Sequence, residues 1–117
     1  GSGIETEVSS EGGMNVAFIN NGDYLKVKNV AFGNGATTFT ARVSSPVSGS
    51  AVEVRTDSPT GPLAGRCTVP STGGWQNWTT VSCTVNGLTG TRDLHLRFSG
   101  GNGYLLNINW WQFGGPA

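Results

Sequence analysis

Residues 93–98 read Asp93-Leu94-His95-Leu96-Arg97-Phe98, with Leu94, Leu96 and Phe98 alternating with Asp93, His95 and Arg97. Successive side chains of a β-strand point to opposite faces, so this stretch is expected to be a strand with one apolar face on a core and one polar face in water. His95 is then a surface histidine between Asp93 and Arg97. The same period of two recurs in both directions along the chain, and no window carries a convincing helical period. Upstream, 15–19 runs into the turn cluster Asn20-Asn21-Gly22-Asp23 and then into 24–30, where Leu25 and Val27 share one face and Tyr24, Lys26 and Lys28 the other. Next come 38–43, with Phe39, Ala41 and Val43 inward, and 51–56, with Val52 and Val54 inward; Pro46 and Gly49 break the chain between them. The turn Ser58-Pro59-Thr60-Gly61-Pro62 precedes 66–69, and 79–85 and 105–113 complete about eight strands. Eight antiparallel strands at this spacing predict an all-β sandwich of two sheets, with the jelly roll as the usual eight-stranded solution.

Composition agrees. Among 117 residues there are 13 Thr and 11 Val against four Glu, two Lys and one Met, which favours strands over helices. Leu, Ile, Val and Phe number 26, enough for a single core and one domain. The expected domain covers 4–113, with 1–3 read as a tag or linker and 114–117 as a C-terminal linker edge. Seven basic and seven acidic side chains cancel, and no run of Lys or Arg occurs, so neither nucleic acid nor an anionic membrane is an expected partner. No stretch approaches the length of a membrane span. Cys67 and Cys83 lie 16 residues apart in Thr/Val-rich runs. That suits a disulfide between neighbouring strands and a secreted protein, the alternative being two buried thiols.

Two aromatic residues sit badly in a core. Tyr24 shares a face with two lysines, and Trp75 lies in the polar run Ser71-Thr72-Gly73-Gly74-Trp75-Gln76-Asn77. A flat ring left in water suits the apolar C–H face of a sugar, whose hydroxyls then need directional partners. The structural alternatives are a Trp75 folded over the sandwich as a lid and a Tyr24 that is an ordinary strand-edge tyrosine. Trp78, Trp110 and Trp111 lie inside strands and are read as core. Asn107 and Asn109, which alternate with Leu106 and Ile108, offer amides that suit vicinal hydroxyls or, equally, cap a turn.

Catalytic readings fare poorly. Glycoside hydrolysis needs two opposed carboxylates, and the seven acids fall mostly in turns or on polar faces. No nucleophile motif accompanies His95. Gly100-Gly101-Asn102-Gly103 lacks the lysine and following helix of a phosphate loop and reads as a hairpin. A small glycoside hydrolase using two of the acids and a protein-binding adhesion sandwich remain the competing readings.

Taken in order, Ser10-Glu11-Gly12-Gly13-Met14-Asn15-Val16-Ala17-Phe18-Ile19, Asn21-Gly22-Asp23-Tyr24, Gly73-Gly74-Trp75-Gln76-Asn77-Trp78-Thr79-Thr80, the stretch 93–98 and Tyr104-Leu105-Leu106-Asn107-Ile108-Asn109-Trp110 resemble the family 6 carbohydrate-binding modules. These are noncatalytic jelly-roll domains of secreted plant-cell-wall hydrolases, often xylanases. The resemblance implies a cleft in which Tyr24 and Trp75 clasp a sugar while Asn107 and a glutamate, Glu7 or else Glu11, bond its hydroxyls. It also implies β-1,4-linked chains as ligand, xylan first and cellulose or β-glucan next, and a covalently linked catalytic domain as partner. The chain departs from the family at its start. Gly3-Ile4-Glu5-Thr6-Glu7 fits the family's second segment better than its opening strand. The usual first strand is then missing, a sheet edge is open to strand exchange, and most ligands of a structural calcium are lost apart from Asn109 and Glu5. A second alignment makes Glu5 and Glu7 the calcium pair itself.

Overall fold

The computed structural model describes residues 5–8 and 14–115, with side chains from residue 16 onward. Nine strands lie among them: β1 (Glu5–Val8), β2 (Met14–Ala17), β3 (Tyr24–Ala31), β4 (Ala36–Ser45), β5 (Ser50–Thr56), β6 (Leu63–Val69), β7 (Gly74–Leu88), β8 (Thr91–Ser99) and β9 (Asn107–Gly114). They form two antiparallel sheets, one in the order β1-β2-β9-β4-β7 and the other β3-β8-β5-β6. This is the expected all-β sandwich. No helix among the described residues is long and apolar enough to cross a membrane.

Period-two patterning builds the core. Phe39, Ala41 and Val43 of β4 and Ile108 of β9 face Val52 and Val54 of β5 and Leu94, Leu96 and Phe98 of β8, all at most 1% exposed. Edge strands β6 and β7 belong to different sheets, and the Cys67–Cys83 disulfide joins them at a Cα–Cα distance of 5.3 Å. The bridge therefore runs between the sheets and closes one long edge of the sandwich. Close approach there needs Gly65, where a Cβ would stand 2.6 Å from the Thr84 carbonyl oxygen and 2.7 Å from Val85 Cγ1.

Four side chains lie elsewhere than the alternation implies. Trp110, expected in the core, is 41% exposed. The reason is a register shift: Val43 opposes Ile108 but Arg42 opposes Trp110, so Asn109 is an extra residue. One added residue turns every following side chain over, and Trp111 takes the inward place opposite Ala41. His95, expected on the surface, is 2% exposed. It does occupy the polar face, but β8 is central in its sheet, with Lys26 and Arg55 opposite it on either side and the Tyr24 ring 5.8 Å away. Long side chains on both neighbouring strands can cover such a ring with their methylene stems. Glu53, placed on a solvent face with the other acids, is largely covered instead and ion-pairs with Arg55 at 2.9 Å. Val27, expected inward, is 38% exposed because β3 is an edge strand whose register slips between Val27 and Val30.

At the N-terminal side β1 is a strand beyond the eight expected. It pairs with β2 over four residues, while β2 meets β9 only at Val16 and Ile108. Past Ile108, β9 is paired on the β4 side alone among the described residues. An edge of the five-stranded sheet is thus open there.

Candidate functional site

One end of the sandwich gathers the finish of β2, the start of β3, the finish of β4, the start of β7 and the start of β9, with the loops 18–23, 46–49, 70–73 and 100–106. Four of the seven exposed large apolar side chains of the described residues stand on this end: Phe18, Val47, Trp75 and Tyr104. The clustering matters because scattered exposed apolar residues need no explanation, whereas a group does.

Trp75 is held out from the sheet by its own backbone. Ser45 opposes Gly74 and Val43 opposes Thr79, so residues 75–78 bulge opposite the single residue Ser44. The bulge is clamped. The Trp75 carbonyl accepts hydrogen bonds from Asn107 Nδ2 at 2.7 Å and from the Ser44 hydroxyl. Just upstream, Thr72 N–H donates to the Ser45 carbonyl at 2.7 Å and Ser45 N–H donates to Thr72 Oγ1 at 2.9 Å. Gly73, at a φ of 92°, supplies the left-handed step that a residue with a Cβ resists. The indole that results is 38% exposed on a fixed support.

Tyr24 begins β3 in the opposite sheet. The turn before it is pinned by Asn20 N–H donating to Asp23 Oδ2 at 3.0 Å, with Gly22 at a φ of 90°. Phe98 N–H then donates to the Asp23 carbonyl at 2.8 Å, which fixes where β3 starts. The half-buried Tyr24 ring rests on the buried His95 at an interplanar angle of 52°. The structure thus brings Tyr24, Trp75 and Asn107 to one end of the molecule, with the two rings on different sheets.

Asn107 is 2% exposed and donates to the Trp75 carbonyl, so it supports the backbone that carries the indole. Glu5 and Glu7 lie in β1 with side chains outside the described residues, and Glu11 lies outside them altogether. Asn109, the extra residue of β9, is half-buried. Among the described residues no three His, Cys, Asp or Glu side chains converge.

Charge is sparse in the loops of this end among the described residues. Among the described residues of its loops Asp23 is the one charged side chain, and its carboxylate is engaged by the turn. The charged residues pair elsewhere: Glu53 with Arg55, and Arg92 with Asp57 at 3.5 Å. Exposed rings, backbone-anchored loops and neutrality fit an uncharged, hydroxyl-rich ligand rather than an anion. Phe18 and Tyr104 escaped the sequence reading. Phe18 looked like one more residue of a strand, and nothing in its identity discloses its φ of 59°.

Known proteins share this fold. A module of Clostridium cellulolyticum described as a family 6 carbohydrate-binding module in complex with xylose superposes with a TM-score of 0.94 and 52% identity, over 97% of this chain and 88% of that one. A β-1,3-glucan-binding module of Bacillus halodurans superposes with a TM-score of 0.91 and 44% identity, over 96% of this chain and 86% of that one. In sequence, the arabinoxylan arabinofuranohydrolase of Paenibacillus polymyxa is 47% identical over 118 residues, which is 95% of this chain but 18% of that protein. This chain therefore spans about a fifth of such relatives. The model of the family described as "Carbohydrate binding module (family 6)" matches residues 1–115, and this chain belongs to that family of noncatalytic modules.

Proposed function

We propose that this module binds β-1,4-linked xylan through the rings of Trp75 and Tyr24, and that outside the cell it holds an attached glycoside hydrolase against its substrate. The observation that carries this reading is the clamped Trp75: an indole kept in water by two side-chain hydrogen bonds to its own carbonyl, beside loops whose described residues carry no charge but the engaged Asp23. The xylose complex of the C. cellulolyticum relative and the arabinoxylan-active relative support the choice of sugar. Tethering raises the enzyme's effective concentration at the polymer without any new catalytic contact. A shallow, wet site with few anchors gives modest affinity, on the order of 0.1 to 1 mM.

A second sugar class has support of its own, because a relative at 44% identity is described as binding β-1,3-glucan. Calorimetric titration with xylohexaose, cellohexaose and laminarihexaose separates the two: xylohexaose binds tightest under the proposal, and preference for a glucan rejects it. In affinity gels containing xylan, Trp75→Ala and Tyr24→Ala each lose nearly all retardation while their unfolding midpoints stay within a few degrees of the parent. Undiminished retardation in either variant removes that ring from the site.

A further inference from the structure

Seven acidic and seven basic side chains cancel in number, but they are not mixed in space. Strand register shows where the cations go, because residues directly opposite one another in antiparallel strands share a face. Tyr24, Arg97, Glu53 and Arg66 form one row across β3, β8, β5 and β6, and Lys26, His95 and Arg55 form the next. Leu96, Phe98, Val52 and Val54 alternate with them and are buried in the core, so both rows lie on the outer face of the sheet. Lys28 and Asn29 lie opposite Asp93 where the β3 register slips. Five of the seven basic residues thus gather on this one sheet face, with Glu53 and Asp93 as its carboxylates.

Pairing within the face leaves cations over. Glu53 is shared: Arg55 Nε lies 2.9 Å from its carboxylate and Arg97 Nη1 4.0 Å, while Arg66 stands opposite it on β6. Asp93 accepts the Asn29 N–H at 3.0 Å and lies 4.0 Å from Lys26 Nζ. Lys28 and Arg66 are exposed and have no hydrogen-bond or ion-pair partner among the described residues. At the margin Arg92 and Asp57 pair at 3.5 Å and cancel. Exposed cations left without counter-charge on one side of a neutral molecule create a local positive potential, whatever the sum over the chain.

The spacing of these cations says what they suit. Lys28 and Arg66 stand on the two outer strands of the sheet, three strand spacings or about 14 Å apart, with Arg97 on a strand between them. A small anion needs donors that converge on it, and these are spread out. A nucleic acid carries a phosphate every 3.4 Å or so along each strand and calls for a denser patch. A sugar chain with a carboxylate on some of its rings matches the sparser spacing, and this chain belongs to a carbohydrate-binding family. We infer that the outer face of the four-stranded sheet holds the carboxylates of an acidic, uronate-bearing polysaccharide, with Lys28, Arg66 and Arg97 as the contacting cations. Arginine offers a carboxylate two parallel N–H donors, and lysine offers a point charge. This surface and its forces are separate from the rings of Trp75 and Tyr24, so the inference goes beyond their reading.

The test measures equilibrium binding of the parent module to immobilised glucuronoxylan and to the same polymer after its carboxylates are reduced to alcohols. Both are run at ionic strengths of about 0.01 and about 1 M, between which the screening length falls from about 30 to about 3 Å. At low salt the parent binds the acidic polymer about threefold or more tighter than the reduced one, as a few exposed charge contacts allow, and at high salt the difference vanishes. Lys28→Gln combined with Arg66→Gln binds the reduced polymer as the parent does and loses the excess on the acidic one, whereas Lys28→Arg combined with Arg66→Lys keeps it. Equal binding of the two polymers by the parent overturns the inference and leaves the rings in place. An excess that survives the double glutamine variant also overturns it. Single-stranded DNA or phosphatidylserine vesicles held as firmly as glucuronoxylan overturn the choice of occupant. A parent that ignores the reduced polymer yet holds the acidic one at low salt upholds the cationic face and rejects the xylan reading of the rings; one that binds neither polymer rejects both.

Discussion

At the scale of single residues, the indole of Trp75 depends on two side chains that never reach its ring. Ser44 is 0% exposed and Asn107 2%, and both bond the Trp75 carbonyl. Removing one of the two partners of this partly buried carbonyl costs about 1 kcal/mol. Ser44→Ala is expected to lose about 1 kcal/mol in denaturant unfolding and to weaken xylohexaose binding severalfold, because the bulge that positions the ring loosens. Asn107→Ala should lose more on both measures. Should Ser44→Ala bind as the parent does, the clamp is irrelevant to binding and the idea of an orienting support fails. The sequence disclosed Trp75 and Tyr24 through neighbours unsuited to a core. It could not disclose the left-handed Phe18, since a phenylalanine after Val-Ala continues a strand by every local rule. His95 was hidden for a different reason: its burial depends on Lys26 and Arg55, which arrive from other strands.

At the scale of elements, alternation made β4, β5 and β8 legible almost to their ends, and long-range pairing decided what alternation could not. Trp110 faces water because β9 carries one residue more than β4 opposite it, a fact about two strands rather than either alone. The length of β7 was likewise underread, since its first residues bulge away from β4 before regular pairing resumes at Thr79. The bridge Cys67–Cys83 joins β6 to β7 across the sandwich, its ends a sequence separation of 16 apart. Closing a loop of about that length contributes roughly 3 kcal/mol. Paired Cys67→Ser and Cys83→Ser substitution is expected to lower unfolding free energy by about that amount, with weaker binding as Trp75, eight residues before Cys83, loses its far anchor. A loss under about 1 kcal/mol would show that Gly65 and the surrounding packing close this edge unaided.

At the scale of the whole molecule, charge and exposed rings are largely segregated. Ion pairs occupy the face of the four-stranded sheet, where Arg97 stands opposite Tyr24, and the turns. Trp75, Phe18 and Tyr104 stand at one end beside loops whose described residues carry no charge but Asp23. Affinity for a neutral chain should therefore change less than twofold in calorimetry between ionic strengths of about 0.01 and about 1 M, although the screening length falls from about 30 to about 3 Å. A steep decline with salt would reveal a charged contact that the described residues do not show. The polarity of β4 sets a further property. It runs from Ala36, near the finish of β9 at Gly114, to Ser45 beneath Trp75, so the chain leaves β9 at the pole opposite the rings. A tug between anything attached beyond Gly115 and a sugar gripped at the rings travels lengthwise down the strands. Ladder bonds loaded sideways in this way would share tension and break together, which is what the proposed tethering of an enzyme to an insoluble polymer would require.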